Sequence, residues 1–220
     1  MTSMIYPTTN PAMSEQMVVA RAEGPYIYDK QGKRYLEGMA GLWCTALGYG
    51  NEEIIEAAER QMRELSFSHM FGGKTHSSAI ELADKLAAIV PIQDGRVFLG
   101  NSGSDANDTL LKLIRYHAEA SGQPNRIKVI AREQGYHGVT LASAALTAIP
   151  TNHAHFQLPF EALGVLRTGS ANYYRGANDG ESEAEFVARR AQELEALILT
   201  EGPETIAAMI AEPVSGAGGV

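Results

Sequence analysis

One cysteine, Cys44, stands among 220 residues, so no disulfide can form within the chain. That suits a reducing compartment, and the expected location is the cytoplasm. Basic residues are outnumbered: 18 Lys and Arg against 26 Asp and Glu leave a net charge of −8, which argues against a nucleic-acid partner. No run reaches the roughly 18 apolar residues that a membrane-spanning helix needs. The first twenty residues lack a basic stretch followed by an apolar one, so no secretory signal is read there. Tryptophan occurs once, at Trp43, and there are no repeats or low-complexity tracts. What remains is a chain with 45% hydrophobic residues, enough to bury a core.

The richest segment is Asn101-Ser102-Gly103-Ser104-Asp105-Ala106-Asn107. Before it, Val97-Phe98-Leu99 reads as a buried strand. After it, Ala106, Leu110, Leu113, Ile114 and His117 recur at helical spacing, with Gly122 and Pro124 as a stop. A Gly/Ser loop between a strand and a helix gathers unpaired N–H groups and the positive end of the helix dipole at one point. A phosphate is the guest that such a loop suits. Taken alone it could also be an ordinary connection with a Ser/Asp N-cap. It is not a dinucleotide fingerprint, because no G-x-G-x-x-G runs through it, nor a P-loop, nor a nucleophile elbow.

The remaining pattern is α/β. Tyr26-Ile27-Tyr28 and Arg34-Tyr35-Leu36 flank the turn Asp29-Lys30-Gln31-Gly32 and predict a hairpin. Asn51 caps a predicted helix with an Ile54, Ala58, Met62 and Leu65 face. Another carries Ala79, Leu82, Ala83, Leu86 and Val90 and ends at Pro91. Ile127-Lys128-Val129-Ile130 predicts a strand leading to the Tyr136 loop. Residues 151–180 read as a long surface excursion. Ser182 and Glu185 form a capping box for a helix through Phe186, Val187, Leu194 and Leu197. Gly202-Pro203 stops it, and residues 206–211 are a third strand. Alternating strands and helices imply a mainly parallel sheet with ligands at the strands' carboxyl ends.

Several residues have plain readings when taken singly. Tyr136, between Gly135 and Gly138, is a loop tyrosine. Glu212, before Pro213, is a solvated or satisfied carboxylate, and Trp43 is a core residue. His153 and His155 lie two apart with no third ligand placed, so no metal is expected. Cys44 lacks an activating pattern and is expected to be buried and inert.

Together the blocks are more specific. Gly24-Pro25-Tyr26-Ile27-Tyr28-Asp29, Gly32-Lys33-Arg34-Tyr35-Leu36-Glu37, Gly41-Leu42-Trp43-Cys44 and Leu47-Gly48-Tyr49-Gly50-Asn51 come first. The Asn-Ser-Gly-Ser loop follows, then Gly135-Tyr136-His137-Gly138, then Ala211-Glu212-Pro213-Val214-Ser215-Gly216-Ala217-Gly218-Gly219. In this order they resemble the class III aminotransferases, which use pyridoxal 5′-phosphate (PLP). Gly-Leu-Trp-Cys with Gly-Tyr-Gly resembles the ω-transaminase branch.

The resemblance implies the fold type I, aspartate aminotransferase-like large domain of a PLP-dependent transferase, incomplete here and preceded by an N-terminal segment of the small domain. Residues 1–70 would belong to the small domain and 71–220 to the large one. Ser102, Gly103 and Ser104 would hold the cofactor phosphate, Tyr136 would stack on its ring, and His137 and Glu212 would complete the cofactor set. Trp43 and Phe71 would line the substrate pocket, Phe71 facing the neighbouring subunit of a homodimer.

The implied reaction moves an amino group from an ω-amino acid, diamine or simple amine to a pyruvate-like keto acid. The family's Schiff-base lysine and the carboxylate that protonates the pyridine nitrogen lie beyond the Glu-Pro-Val block. None of Lys30, Lys33, Lys74, Lys85, Lys112 and Lys128 has the matching context. The chain therefore reads as the N-terminal half of an aminotransferase, inactive by itself. The alternatives are another PLP enzyme on this scaffold, a decarboxylase or aminomutase, or a non-catalytic fragment.

Overall fold

The computed structural model describes residues 3–7, 10 and 16–219. The chain forms two compact units, Met1–Pro91 and Ile92–Val220.

The first unit begins with an antiparallel sheet of β1 (Val19–Glu23), β2 (Tyr26–Asp29) and β3 (Arg34–Leu36), in that order. The expected hairpin is β2–β3. Asp29 closes its turn, Oδ1 accepting from the N–H groups of Gln31 and Lys33 at 2.9 Å each. The first strand, β1, was not foreseen. It pairs along β2 with Ala22 opposite Ile27. Next comes α1 (Ala40–Trp43), a single turn whose φ values of 47, 60, 56 and 66° are left-handed. At the three non-glycine positions that conformation is strained. Then follow α2 (Glu52–Glu64) and α3 (Ser77–Ile89). Asn51 caps α2 as expected, its Oδ1 accepting from Ile54 N–H at 3.2 Å. The α2 stripe is not packed within this unit, Ile54 and Met62 being exposed.

The second unit contains α4 (Gly103–Ala120), β4 (Lys128–Arg132), α5 (Leu141–Leu146), α6 (Phe160–Leu163), β5 (Val165–Thr168), α7 (Tyr173–Gly176), α8 (Glu183–Glu201) and β6 (Ile206–Ile210). Its sheet is wholly parallel, in the order β5-β4-β6. Paired on both sides, β4 is the most buried strand, and Val129, Ile130 and Ala131 are all but sealed from solvent. That burial explains its uninterrupted apolar character. Val129 packs with Leu111 of α4 and Leu146 of α5, and Ile114, Val165 and Ile210 close around them.

Three expectations change. Residues 97–99 form no strand, and Phe98 is exposed. An apolar run becomes a strand only with a partner, and none of the described strands pairs with this one. The expected excursion over residues 151–180 contains β5, whose Val165 to Thr168 run in register with Val129 to Arg132. Its four residues are too short for periodicity to betray them. On α4 the buried face is Leu111, Ile114 and Ala118, while Leu110 and Leu113 are exposed. Of the expected stripe Ile114 does pack on the core, and the rest of that face is supplied by Leu111 and Ala118.

The capping box at Ser182 and Glu185 is present and opens α8. Four residues into it, Phe186 is buried and meets Tyr173 edge-on at 5.6 Å between ring centroids. Val187, the next residue around the helix, is exposed. Replacing Phe186 by Ala should destabilise this unit by about 3–5 kcal/mol, read as a lowered denaturation midpoint. Val187→Ala should change it by less than about 1 kcal/mol.

Candidate cofactor site

In the second unit, β4 and β6 deliver their carboxyl ends to one edge of the sheet, Ala131 pairing with Ile210. The segments that follow them meet the beginning of α4 there.

Ser102 is the N-cap of α4. Its backbone is extended, and its Oγ accepts from Asp105 N–H at 3.1 Å. Ala106 N–H already reaches Ser102 O at 3.0 Å. The N–H groups of Gly103 and Ser104 have no acceptor among the described residues. Ser102 and Gly103 are exposed, and a Cβ on Gly103 would meet nothing within 4 Å. An 18-residue helix thus opens two free donors and its dipole onto open space. Asp105 would oppose an anion here, but its Oδ2 turns back to accept from Asn101 N–H at 3.0 Å.

The two serines differ. Ser104 Oγ accepts from Val139 N–H at 3.0 Å, which ties the Tyr136 loop to the first turn of α4. Gly138 permits this approach, since with φ of 130° any Cβ there would collide with Ser143 Oγ and come within 2.6 Å of Ser104 Oγ. Both hydroxyl oxygens are therefore engaged as acceptors, which leaves their protons free to donate.

Tyr136 follows β4 by four residues and keeps its ring partly exposed. Its N–H donates to Glu212 Oε2 at 3.1 Å, while Glu212 Oε1 accepts from Gly216 N–H at 3.1 Å. Arg132 donates to the Glu212 carbonyl at 3.2 Å. One carboxylate thus joins the Tyr136 loop to the glycine-rich loop after β6. That loop lies so close that a Cβ on Gly218 would collide with the Gln134 carbonyl.

His137 is buried, and its Nε2 has no partner among the described residues. Burial pushes the imidazole below its ordinary 6.5, the Glu212 charge opposing this and Arg167 adding to it. The ring lies beneath the loop, with Nε2 at 3.1 Å from where a Gly135 Cβ would stand. Ser102, Gly103, Ser104, Tyr136, His137 and Glu212 are thus gathered at one place.

Trp43 and Phe71 belong to the first unit, where both side chains are well exposed. Cys44, expected to be buried, is exposed beside them in sequence, its thiol directed at Leu42 O at 3.6 Å. The left-handed turn that ends at Trp43 leaves it on the surface. His153 Nε2 contacts the carbonyls of Thr147 at 2.6 Å and Ala144 at 3.2 Å, a structural role. Of the two lysines in the second unit, Lys112 is exposed on α4 and Lys128 pairs with Glu201 at 2.9 Å.

A helix start with two free N–H groups, a partly exposed aromatic ring and a carboxylate, gathered at the carboxyl edge of a parallel sheet, could hold an anionic ring cofactor. The sequence model of the family described as "Aminotransferase class-III" matches residues 8–220. The chain belongs to the class-III aminotransferases, a PLP-dependent family.

It is 48% identical over 207 residues to the "Probable gamma-aminobutyrate transaminase 2, mitochondrial" of Oryza sativa subsp. indica, covering 94% of this chain and 41% of that protein. It is 47% identical over 207 residues to "Gamma aminobutyrate transaminase 1, mitochondrial" of Solanum lycopersicum, covering 94% and 40%. The crystal structure of the omega transaminase from Pseudomonas jessenii in complex with PMP superposes with a TM-score of 0.95 at 49% identity. That match covers 99% of this chain and 48% of the other. The chain spans less than half the length of these relatives.

The buried His137 carries a pH dependence. Its folded value lies below 6.5, so below that pH the unfolded chain takes up a proton that the folded one refuses. Its contribution to stability is therefore intact above pH 6.5 and is lost as the pH falls below it. The denaturation midpoint should drop as the pH falls below 6.5, and in His137→Gln that dependence should flatten.

Proposed function

We propose that this chain supplies the phosphate cup and ring platform of an ω-amino acid aminotransferase whose cofactor-bearing lysine lies outside these 220 residues. The observation that carries the reading is the pair of unclaimed N–H groups at Gly103 and Ser104, hydrogen-bonded through Ser104 Oγ to the loop that bears Tyr136. The residues present fit PLP. Its phosphate would meet the α4 N-terminus, its ring would lie on Tyr136, and Glu212 would stand at the ring's edge. When bound, PLP supplies an electron sink for bond breaking at the amine carbon.

This chain's own residues bind and orient. The α4 dipole and the two N–H groups hold the phosphate dianion, and Tyr136 fixes the plane of the ring. Glu212, with each oxygen already accepting one N–H, keeps lone pairs directed by those bonds. Lys128, paired with Glu201, and Lys112, exposed on α4, are poor candidates for a covalent partner.

The relatives named for gamma-aminobutyrate support an ω-amino acid donor and a small keto acid acceptor. In this reading Trp43 and Phe71 line the substrate pocket, and the working enzyme is a homodimer in the cytoplasm. Residues 1–70 contribute to its small domain and 71–220 to its large one.

Two measurements test the proposal. With PLP added, the 220 residues should retain the cofactor but show no turnover of an ω-amine with pyruvate; measurable turnover would require one of the six lysines to be catalytic. In an active enzyme containing this chain, Tyr136→Ala should weaken PLP retention by on the order of tenfold. Trp43→Ala should leave retention alone and change which amines are accepted. Equal effects from both would mean that platform and pocket wall are misassigned.

A further inference from the structure

Every residue from Gly135 to Val139 has a backbone group held by a partner elsewhere in the second unit. Gly135 O accepts from Ala148 N–H at 2.8 Å, and Tyr136 N–H donates to Glu212. His137 is held at both ends: its N–H donates to Thr147 Oγ1 at 2.8 Å and its carbonyl accepts from Asn107 Nδ2 at 2.6 Å. Thr147 Oγ1 also donates to Gly138 O at 3.0 Å, and Val139 N–H reaches Ser104.

Thr147 is the least expected of these partners. It ends α5 among Ala145 and Leu146 and is 0% exposed, a place where a valine would fill the same space. A hydroxyl so buried is unfavourable unless it is bonded, and this one is bonded twice, both times to the Tyr136 loop. Its carbonyl is fixed in turn by Arg167 Nη2 at 2.7 Å and His153 Nε2 at 2.6 Å.

We infer that Thr147, assisted by Asn107, is the positioning residue for the aromatic platform, setting where the Tyr136 ring stands relative to the Gly103–Ser104 donors. Neither side chain belongs to the cup. Both act through the backbone of the two residues that follow Tyr136, so their loss should loosen the ring's grip while leaving the cup intact. This rests on the reading of Tyr136 as the ring platform, and the test separates the two.

The experiment uses this chain and two probes, PLP and inorganic phosphate. Affinity for each is followed through the backbone amide signals of Gly103 and Ser104. Thr147→Val should weaken PLP by on the order of tenfold and leave inorganic phosphate within about twofold. Thr147→Ser, which keeps the hydroxyl, should restore PLP affinity to within about twofold of the original. Asn107→Ala should shift PLP in the same direction by less. In Thr147→Val the His137 amide should also exchange faster, while that of Ile130 in the core stays protected.

A folded Thr147→Val chain with unchanged PLP affinity overturns the inference, as does equal loss of both probes. Failure of Thr147→Ser to restore affinity overturns it too. If Thr147→Val does not fold, Asn107→Ala and Thr147→Ser decide by the same criteria. An unsubstituted chain that takes phosphate but no PLP sinks the platform reading itself, and this inference falls with it.

Discussion

The pairing of β4 on both sides governs the second unit. Parallel partners β5 and β6 seal Val129, Ile130 and Ala131, and they also send the chain out at the same edge each time. In such a sheet the loops that bind ligands lie at the strands' carboxyl ends. Those loops need partners for their peptide groups, and α4, packed on the sheet through Leu111, supplies two of them in Ser104 and Asn107. The site is therefore a consequence of strand pairing. Residues 97–99 pair with none of these strands, so the run that reads most like a strand just ahead of α4 is not one here.

Polar side chains carry the geometry from there. Ser104 reaches Val139, Asn107 reaches His137, and Glu212 joins Tyr136 to Gly216. Each bond crosses between elements distant in sequence, Asn107 and His137 lying 30 residues apart and Tyr136 and Glu212 76 apart. Such a network is favourable only when each member is satisfied, and it then fixes one arrangement over near alternatives. The unpartnered His137 Nε2 is the exception, lying under the loop beside Glu212, and its burial is why the imidazole resists a proton.

What the sequence discloses here is whatever rests on neighbours along the chain. Asn51 and the Ser182–Glu185 box announce helix starts because a cap is a contact over three residues. The β2–β3 hairpin is legible for the same reason, and β4 because its burial leaves a bare apolar run. Ser102, Gly103, Tyr136 and Glu212 stand out through local patterns and family resemblance together. By contrast β5 exists only because β4 offers it a register, and the face of α4 is fixed by what lies beneath it. Thr147 is invisible at that level. An Ala-Leu-Thr-Ala sequence carries no sign that its hydroxyl serves a loop ten residues back.

Ser102 and Ser104 illustrate how function is divided within a short motif. In sequence they are alike, two hydroxyls on either side of a glycine. In the structure one closes the helix through Asp105 and the other holds the platform loop through Val139. The N–H groups of Gly103 and Ser104 also stay open, and they are main-chain donors that no substitution removes except proline. At Gly103, between the two serines, the space stays open, since even a Cβ there would meet nothing within 4 Å. The hydroxyls at 102 and 104 set the direction in which those N–H groups point. Ser102 and Ser104 thus order the loop through their oxygens, and each keeps a proton to donate.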